Sequence, residues 1–436
     1  MGAGLSSTWL IQYLEEQSQK SGWELRVADR DPEAVRAKIN APAKAVQLDV
    51  LNDEQRDKCI KEVDVVISML PAQFHILVAR SCLKFGKSLI TASYEDEEMR
   101  ALHPEALQRG VIILNEMGLD PGIDHMSAMQ ILDRVRSQGH WLTGFESFTG
   151  GLVAPESDNN PWHYKFSWNP ENVVRAGQGT AKFIQEGKIK YIPYNRLFRR
   201  TEVITIDHFG KFEAYANRDS MKYIEKYSLQ DIPTIYRGTL RRPGFCQAWN
   251  VFVQLGATDD SYIMDNSENM TYREFINSFL YYSKHDSVEL KLYHYMHIDQ
   301  DSHIIEKLKW LGIFDDTRIG LKNASPASIL EHILNRKWKL ERDDKDMVVM
   351  WHKISYQEKG KAKPTDLTSS LGVIGENSMK TAMAKTVGLP MGIAAKLILS
   401  GAIKTPGVRI PTLPEIYNPV LKELESFGVS FVEKRI

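Results

Sequence analysis

Three short apolar runs constrain this chain most: Val63-Asp64-Val65-Val66-Ile67-Ser68-Met69-Leu70-Pro71, Ser88-Leu89-Ile90-Thr91-Ala92-Ser93-Tyr94 and Gly110-Val111-Ile112-Ile113-Leu114. Runs this nearly continuous suit parallel strands buried on both faces, and parallel strands need crossover connections between them. Ahead of them, Trp23–Ala28 reads as a strand ending at Asp29, Ala45–Leu48 as another ending at Asp49-Val50, and Asp53–Lys61 as a helix. A βα succession of this kind predicts a doubly wound parallel sheet of the Rossmann type, with ligands beyond the carboxyl ends of the strands. Asp49, Val50, Leu70, Ala92 and Ser93 fall at those ends. Strand termination alone also accounts for such residues there.

The chain opens Met1-Gly2-Ala3-Gly4-Leu5-Ser6-Ser7-Thr8 and runs into a helix-like segment. Gly2, Gly4 and Ser7 match a dinucleotide fingerprint with a small residue in place of its third glycine. In that motif the glycines permit a tight turn and close approach of a pyrophosphate to helix-terminal N–H groups. Asp29 lies about 20 positions further on, where the motif carries an acidic residue. A carboxylate there favours a free ribose diol and so NAD, whereas the neighbouring Arg30 can welcome a 2′-phosphate; the balance leans to NAD with NADP tolerated. Such a unit also needs an apolar strand before its first glycine, yet Met1 stands directly in front of Gly2. The expectation is a start assigned a few codons late.

The stretch Asn115-Glu116-Met117-Gly118-Leu119-Asp120-Pro121-Gly122-Ile123-Asp124-His125 looks like the joint between a nucleotide-binding and a substrate-binding half. Asp120 is equally readable as a helix N-cap with Pro121 at the first helical position. From about residue 140 the texture becomes alternating and aromatic-rich, as in Phe145–Thr149, Val203–Ile206 and Phe212–Tyr215, which predicts a half-exposed mixed or antiparallel sheet. Residues 271–345 carry helical spacing. Ser378–Ser400 is a long helical pattern, expected to break at Gly388-Leu389-Pro390 and to return to the first domain.

A length of 436 residues suggests two or three domains, and a net charge of −1 argues against a nucleic-acid partner. There is no unbroken apolar stretch of about 18 residues, so no membrane span is expected. Cys59, Cys82 and Cys246 have neither metal-like nor disulfide-like spacing, which suits a reducing, cytoplasmic setting. His294, His297 and His303 lack a convincing acidic or thiol partner, so no metal is expected. Arg218, in Asn217-Arg218-Asp219-Ser220, and the arginines of Arg237–Phe245 could hold carboxylates through their planar forks, or could be surface ion pairs.

The joint, together with Thr91–Tyr94, Gly150-Gly151-Leu152-Val153-Ala154-Pro155-Glu156, Asn217–Ser220, Arg237–Phe245 and Gly388–Leu399, resembles the saccharopine dehydrogenase family of lysine metabolism, in its glutamate-forming branch. The resemblance covers essentially the whole chain. It implies a Rossmann domain made of residues 1–120 and 376–436, a substrate-binding and dimerising α/β domain of residues 121–270 and 344–375, and a helical insertion at 271–343. It places the cofactor along Gly2, Gly4, Leu5, Ser6, Ser7, Thr8, Asp29, Arg30, Asp49, Val50, Leu70, Ala92, Ser93, Leu119, Asp120 and Pro121. Substrate contacts would come from Ser93, Tyr94, Asp120, Arg218, Thr239, Leu240 and Arg241, with Asp120 and Tyr94 as candidates for acid–base work. Where the family often has cysteine before Gly150, this chain has Thr149, so a thiol cannot be essential here. The implied reaction is NAD(P)-dependent oxidation of saccharopine to L-glutamate and 2-aminoadipate 6-semialdehyde, or its reverse, by a homodimer. Rival readings are a polyamine-forming reductase of the carboxynorspermidine dehydrogenase type and a non-catalytic dinucleotide-binding protein.

Overall fold

The structure, a computed structural model, describes residues 1–176 and 178–436. The chain divides into two compact units, Met1–Thr143 with Lys226–Ser228 and Ile354–Ile436, and Gly144–Glu225 with Leu229–Lys353.

In the first unit the apolar runs become the parallel strands β3 (Val65–Ser68), β4 (Ser88–Thr91) and β5 (Ile112–Leu114), and Gly407–Arg409 adds a fourth beside β5. The earlier strands, β1 (Arg26–Asp29) and β2 (Lys44–Gln47), pair in parallel with each other as a separate small sheet. Met1 bridges the two sheets. Its ammonium donates to Ile67 O at 2.7 Å and its carbonyl accepts from Met69 N–H, while Gly2 N–H donates to Ala28 O. Beside this bridge runs a cavity of about 410 Å³ walled by Leu10, Leu14, Val27, Val65 and Ile67. Directly before Gly2, Met1 thus bonds to the backbone of Ile67 and Met69 as a neighbouring strand would. Gly2 is required there, with φ +87° and room so tight that a Cβ would meet the Met69 carbonyl at 2.9 Å.

The helix Thr8–Ser21 leaves the fingerprint turn and packs against Ala382–Leu399. Built Cβ atoms at Gly388 and Gly392 would come within 2.9 Å of Leu10 N and 2.6 Å of the Tyr13 ring, so the missing side chains are what lets the helices approach. The break expected at Gly388-Leu389-Pro390 is absent, and the helix runs through Pro390. An interior proline costs about 3 kcal/mol. Burial of Leu389, Met391 and Ile393, each contributing about 1.5–3 kcal/mol, outweighs it. By length and composition this helix could cross a bilayer, but 72% of it is buried inside the protein.

In the second unit, Trp141–Val153 enters and runs parallel to Ile235–Arg241, with Thr149 beside Thr239. Ile235–Arg241 pairs antiparallel with Gly210–Ala216, which pairs with Thr201–Ile206, giving the mixed sheet that alternation suggested. The expected helical stretch forms Tyr272–Asn277, Val288–Met296, His303–Leu311 and Pro326–Trp338. Trp162, Tyr164, Phe245, Trp249 and Trp338 make an aromatic core, with Trp162 and Trp338 ring centroids 5.2 Å apart. Lys165, which the sequence sets among aromatics, is buried in a 2.6 Å ion pair with Asp344.

Candidate active site

The fingerprint turn is gripped from behind and open in front. Ala3 N–H donates to Asp29 Oδ2 at 2.7 Å, and Lys38 Nζ donates to Ala3 O at 2.6 Å, Gly4 O at 2.7 Å and Ser7 Oγ at 3.3 Å. Burial lowers the Lys38 ammonium from its ordinary range, and nearby Asp29 opposes that shift. Among the described residues the N–H groups of Gly4, Leu5 and Ser6 meet no acceptor, and nothing stands within 4 Å of a Cβ built on Gly4. Free donors at the entry to a 14-residue helix suit a pyrophosphate. Leu5 is exposed and Thr8 partly so.

Asp29 is less available than its position suggests. Its Oδ2 is taken by Ala3 N–H and its Oδ1 accepts from Asp31 N–H at 3.1 Å. Arg30 is exposed, with no carboxylate in ion-pairing range among the described residues. Asp49 Oδ1 accepts from Leu51 N–H and so turns the chain, while Val50 is buried and its carbonyl accepts from Arg56. Leu70 and Ala92 lie half-buried just past β3 and β4.

Ser93 belongs to a chain of side chains whose central member, His75, drew no attention in the sequence. His75 Nε2 lies 2.8 Å from Ser93 Oγ and 3.1 Å from Thr91 Oγ1, and Nδ1 lies 2.8 Å from Ser68 Oγ. Burial pushes His75 down to about 4, so near neutral pH it is an uncharged imidazole that fixes the Ser93 hydroxyl. Ser93, Tyr94, His75 and Asn115 line a cavity of about 180 Å³.

In the joint, Asn115, Glu116 and Met117 N–H groups donate to Arg409 O, Ser93 O and Thr91 O. Gly118 N–H donates to Pro121 O, Ile123 N–H to Gly118 O, and Gly122 N–H to Asp124 Oδ1 at 2.6 Å. The following helix starts at Ile123 with Gly122 as its cap, so Asp120 is not the N-cap that its spacing allowed. Its side chain does something else. Across residues 111–129 only Asp120 is not buried, and Tyr94 Oη donates to its Oδ1 at 3.3 Å. Leu119 and Pro121 on either side are buried.

The second unit carries the other residues. Arg218 is exposed just past Gly210–Ala216, at φ +53°, with its carbonyl accepting from Lys182 N–H. Thr239, Leu240 and Arg241 end one strand, where Thr239 stands beside Thr149 on one side and Tyr215 on the other. Arg241 is 4% exposed, and its guanidinium carbon lies 5.1 Å from the Tyr164 ring centroid and 5.3 Å from that of Phe245. One nitrogen donates to Leu240 O, while Nε and the buried Thr149 hydroxyl have no partner among the described residues. A guanidinium stays charged, so an unfilled donor here is a ready site for an anion. Leu240 is fully buried in the core.

The profile for the saccharopine dehydrogenase NADP binding domain matches residues 1–114, and that for the saccharopine dehydrogenase C-terminal domain matches residues 118–429. The chain belongs to the saccharopine dehydrogenase family. It is 34% identical over 401 residues to saccharopine dehydrogenase [NADP(+), L-glutamate-forming] of Saccharomyces cerevisiae, covering 90% of this chain and 89% of that one. The Schizosaccharomyces pombe protein of the same name is 31% identical over 100% of this chain and 98% of its own. The Arabidopsis thaliana alpha-aminoadipic semialdehyde synthase is 33% identical, and this chain spans only 38% of its length. Among solved structures, apo saccharopine dehydrogenase (L-Glu forming) from Saccharomyces cerevisiae superposes with a TM-score of 0.89 at 31% identity, over 100% of this chain and 98% of that one. The homospermidine synthase of Legionella pneumophila shares the fold alone, with a TM-score of 0.54 at 10% identity over 100% of this chain and 90% of that one. A saccharopine dehydrogenase of this family is an oxidoreductase of lysine metabolism with a dinucleotide-binding domain, and the names of the matched profile and of the yeast relatives favour NADP where the sequence leaned to NAD with NADP tolerated.

Proposed function

We propose that the chain oxidises saccharopine with NADP, releasing L-glutamate and 2-aminoadipate 6-semialdehyde, or runs the same reaction backwards. The observation that carries this reading is Arg241, a buried cation with an unfilled donor, because saccharopine brings three carboxylates. A diamine substrate, as in the polyamine-forming rival, would meet like charge there. Residues 1–120 with 376–436 would hold the cofactor, with the free N–H groups of Gly4, Leu5 and Ser6 facing its pyrophosphate. Arg30 supports NADP over NAD, since it is exposed beside an Asp29 whose two oxygens each already accept a backbone N–H.

Held along the fingerprint turn, NADP would supply the hydride acceptor for the lysine-derived ε-carbon of saccharopine. Asp120, with Tyr94 donating to it, takes the amine proton beforehand and serves water as it adds to the resulting C=N bond. The C–N bond then breaks, glutamate leaves as the amine and the other half leaves as the aldehyde. Arg241 and Arg218 hold carboxylates through this sequence, and Ser93, fixed by His75, orients the reacting end.

The test is absorbance at 340 nm on mixing the purified protein with saccharopine and either NADP or NAD. Reduction of NADP is expected. Arg30→Ala should raise the NADP dissociation constant about tenfold, with NAD affected less than twofold. A folded protein silent with both cofactors would sink the reaction, and an Arg30 variant unchanged with NADP would remove its role.

A further inference from the structure

We infer that Glu116 and His125, with Tyr227 behind them, form a clasp that positions Asp120; this rests on the proposed reaction for its meaning and not for its geometry. The Glu116 backbone stands at φ +58°, a left-handed conformation that disfavours a side chain, and its carboxylate is completely buried. Two such costs persist only where something fixes them. Glu116 Oε2 lies 2.6 Å from His125 Nε2, and Oε1 accepts from Lys226 Nζ at 2.8 Å and from Glu95 N–H at 3.0 Å. His125 Nδ1 lies 2.5 Å from Tyr227 Oη. Burial alone would raise the Glu116 carboxyl, but His125 and Lys226 overcome it and hold the group at about 2.

What the clasp encloses gives it its role. Glu116 sits two residues before Gly118 and His125 three after Gly122, so their contact closes the base of the turn that projects Asp120. Above the base, Gly118 N–H to Pro121 O and Gly122 N–H to Asp124 Oδ1 leave the turn little freedom. With the base shut and these bonds made, the backbone that carries Asp120 is held, and Tyr94 Oη meets the carboxylate at 3.3 Å. Opening the base moves that carboxylate without touching it, and a shift of about 1 Å at a reacting group can cost about a hundredfold in rate. Glu116, His125 and Tyr227 are therefore positioning residues.

Two measurements test this, using Tyr227→Phe as the mild variant and His125→Asn as the severe one. Hydrogen–deuterium exchange should show amides of 116–125 exchanging at least about tenfold faster in both variants, with the helix Thr8–Ser21 unchanged. At saturating saccharopine and NADP, kcat should fall about tenfold in Tyr227→Phe with KM within about twofold, yet the same change in an Asp120→Asn background should cost less than about twofold. Unaltered exchange in the loop, or a loss that multiplies fully onto that of Asp120→Asn, would overturn the inference. If wild-type protein does not turn over saccharopine, the assigned reaction fails and the exchange comparison still decides the clasp.

Discussion

The fingerprint turn at Gly2–Thr8 and the joint at Asn115–His125 are both loops at strand ends of the first unit, and they are built in opposite ways. In the first, a lysine and an aspartate engage the turn from one side and leave three N–H groups without acceptors among the described residues. In the second, the N–H groups of residues 115–118 and 122–124 all meet acceptors, the flanking side chains are buried, and a single carboxylate projects. The difference fits the tasks proposed for the two loops. A phosphate brings its own acceptors, so its site must keep donors free; an acid–base group must be aimed, so its support must be held.

The sharpest break would come at Gly122, where φ is +148° and a Cβ would stand 2.0 Å from Gly118 O. Gly122→Ala should destabilise the first unit by about 4 kcal/mol or more, read as a collapse of soluble yield or of the thermal midpoint; a variant as stable as wild type would show that the joint is not tightly packed after all. Next in size, Asp120→Asn should lower kcat about a hundredfold or more while the NADPH dissociation constant stays within about twofold, measured by steady-state rates beside fluorescence titration. Loss of cofactor affinity instead would merge the two loops into one site. Lys38→Met should do the reverse, weakening NADPH about fivefold with kcat at saturation preserved and Lys38→Arg restoring much of the loss; unchanged affinity would reduce Lys38 to packing.

The smallest effect belongs to the strand end between them. His75 is depressed to about 4 in the folded protein from an ordinary 6.5, so the unfolded chain binds the extra proton between those values. The stability that neutral His75 confers is whole above pH 6.5 and is lost as pH falls through 4. Thermal midpoints between pH 7 and 4.5 should therefore fall less steeply in His75→Gln, and equal slopes would assign the titration elsewhere.

Much of this was legible before any coordinates. Short apolar runs specify parallel strands because both faces must be covered, and β3, β4 and β5 fall inside the runs that announced them. Alternation at Phe145–Thr149 and Phe212–Tyr215 announced the mixed sheet for the same kind of reason. Asp120, Tyr94 and Arg241 could be singled out because their types and their neighbours matched a family pattern. The continuity of Ala382–Leu399 through Pro390 could not be read, since local preference says break and only the packing of Gly388 against Leu10 says otherwise.

What the sequence determined by itself was the order of strands and helices, the family, and which residue types stand at strand ends; periodicity and local spacing are properties of neighbours in the chain. What only the tertiary structure decided was who meets whom across long separations. Lys38 closes on Ala3 and Gly4, His75 on Ser93, and Tyr227 on His125, 102 residues away. No local pattern encodes such pairs, because a buried histidine, glutamate or lysine takes its charge and its role from the partners that folding brings to it.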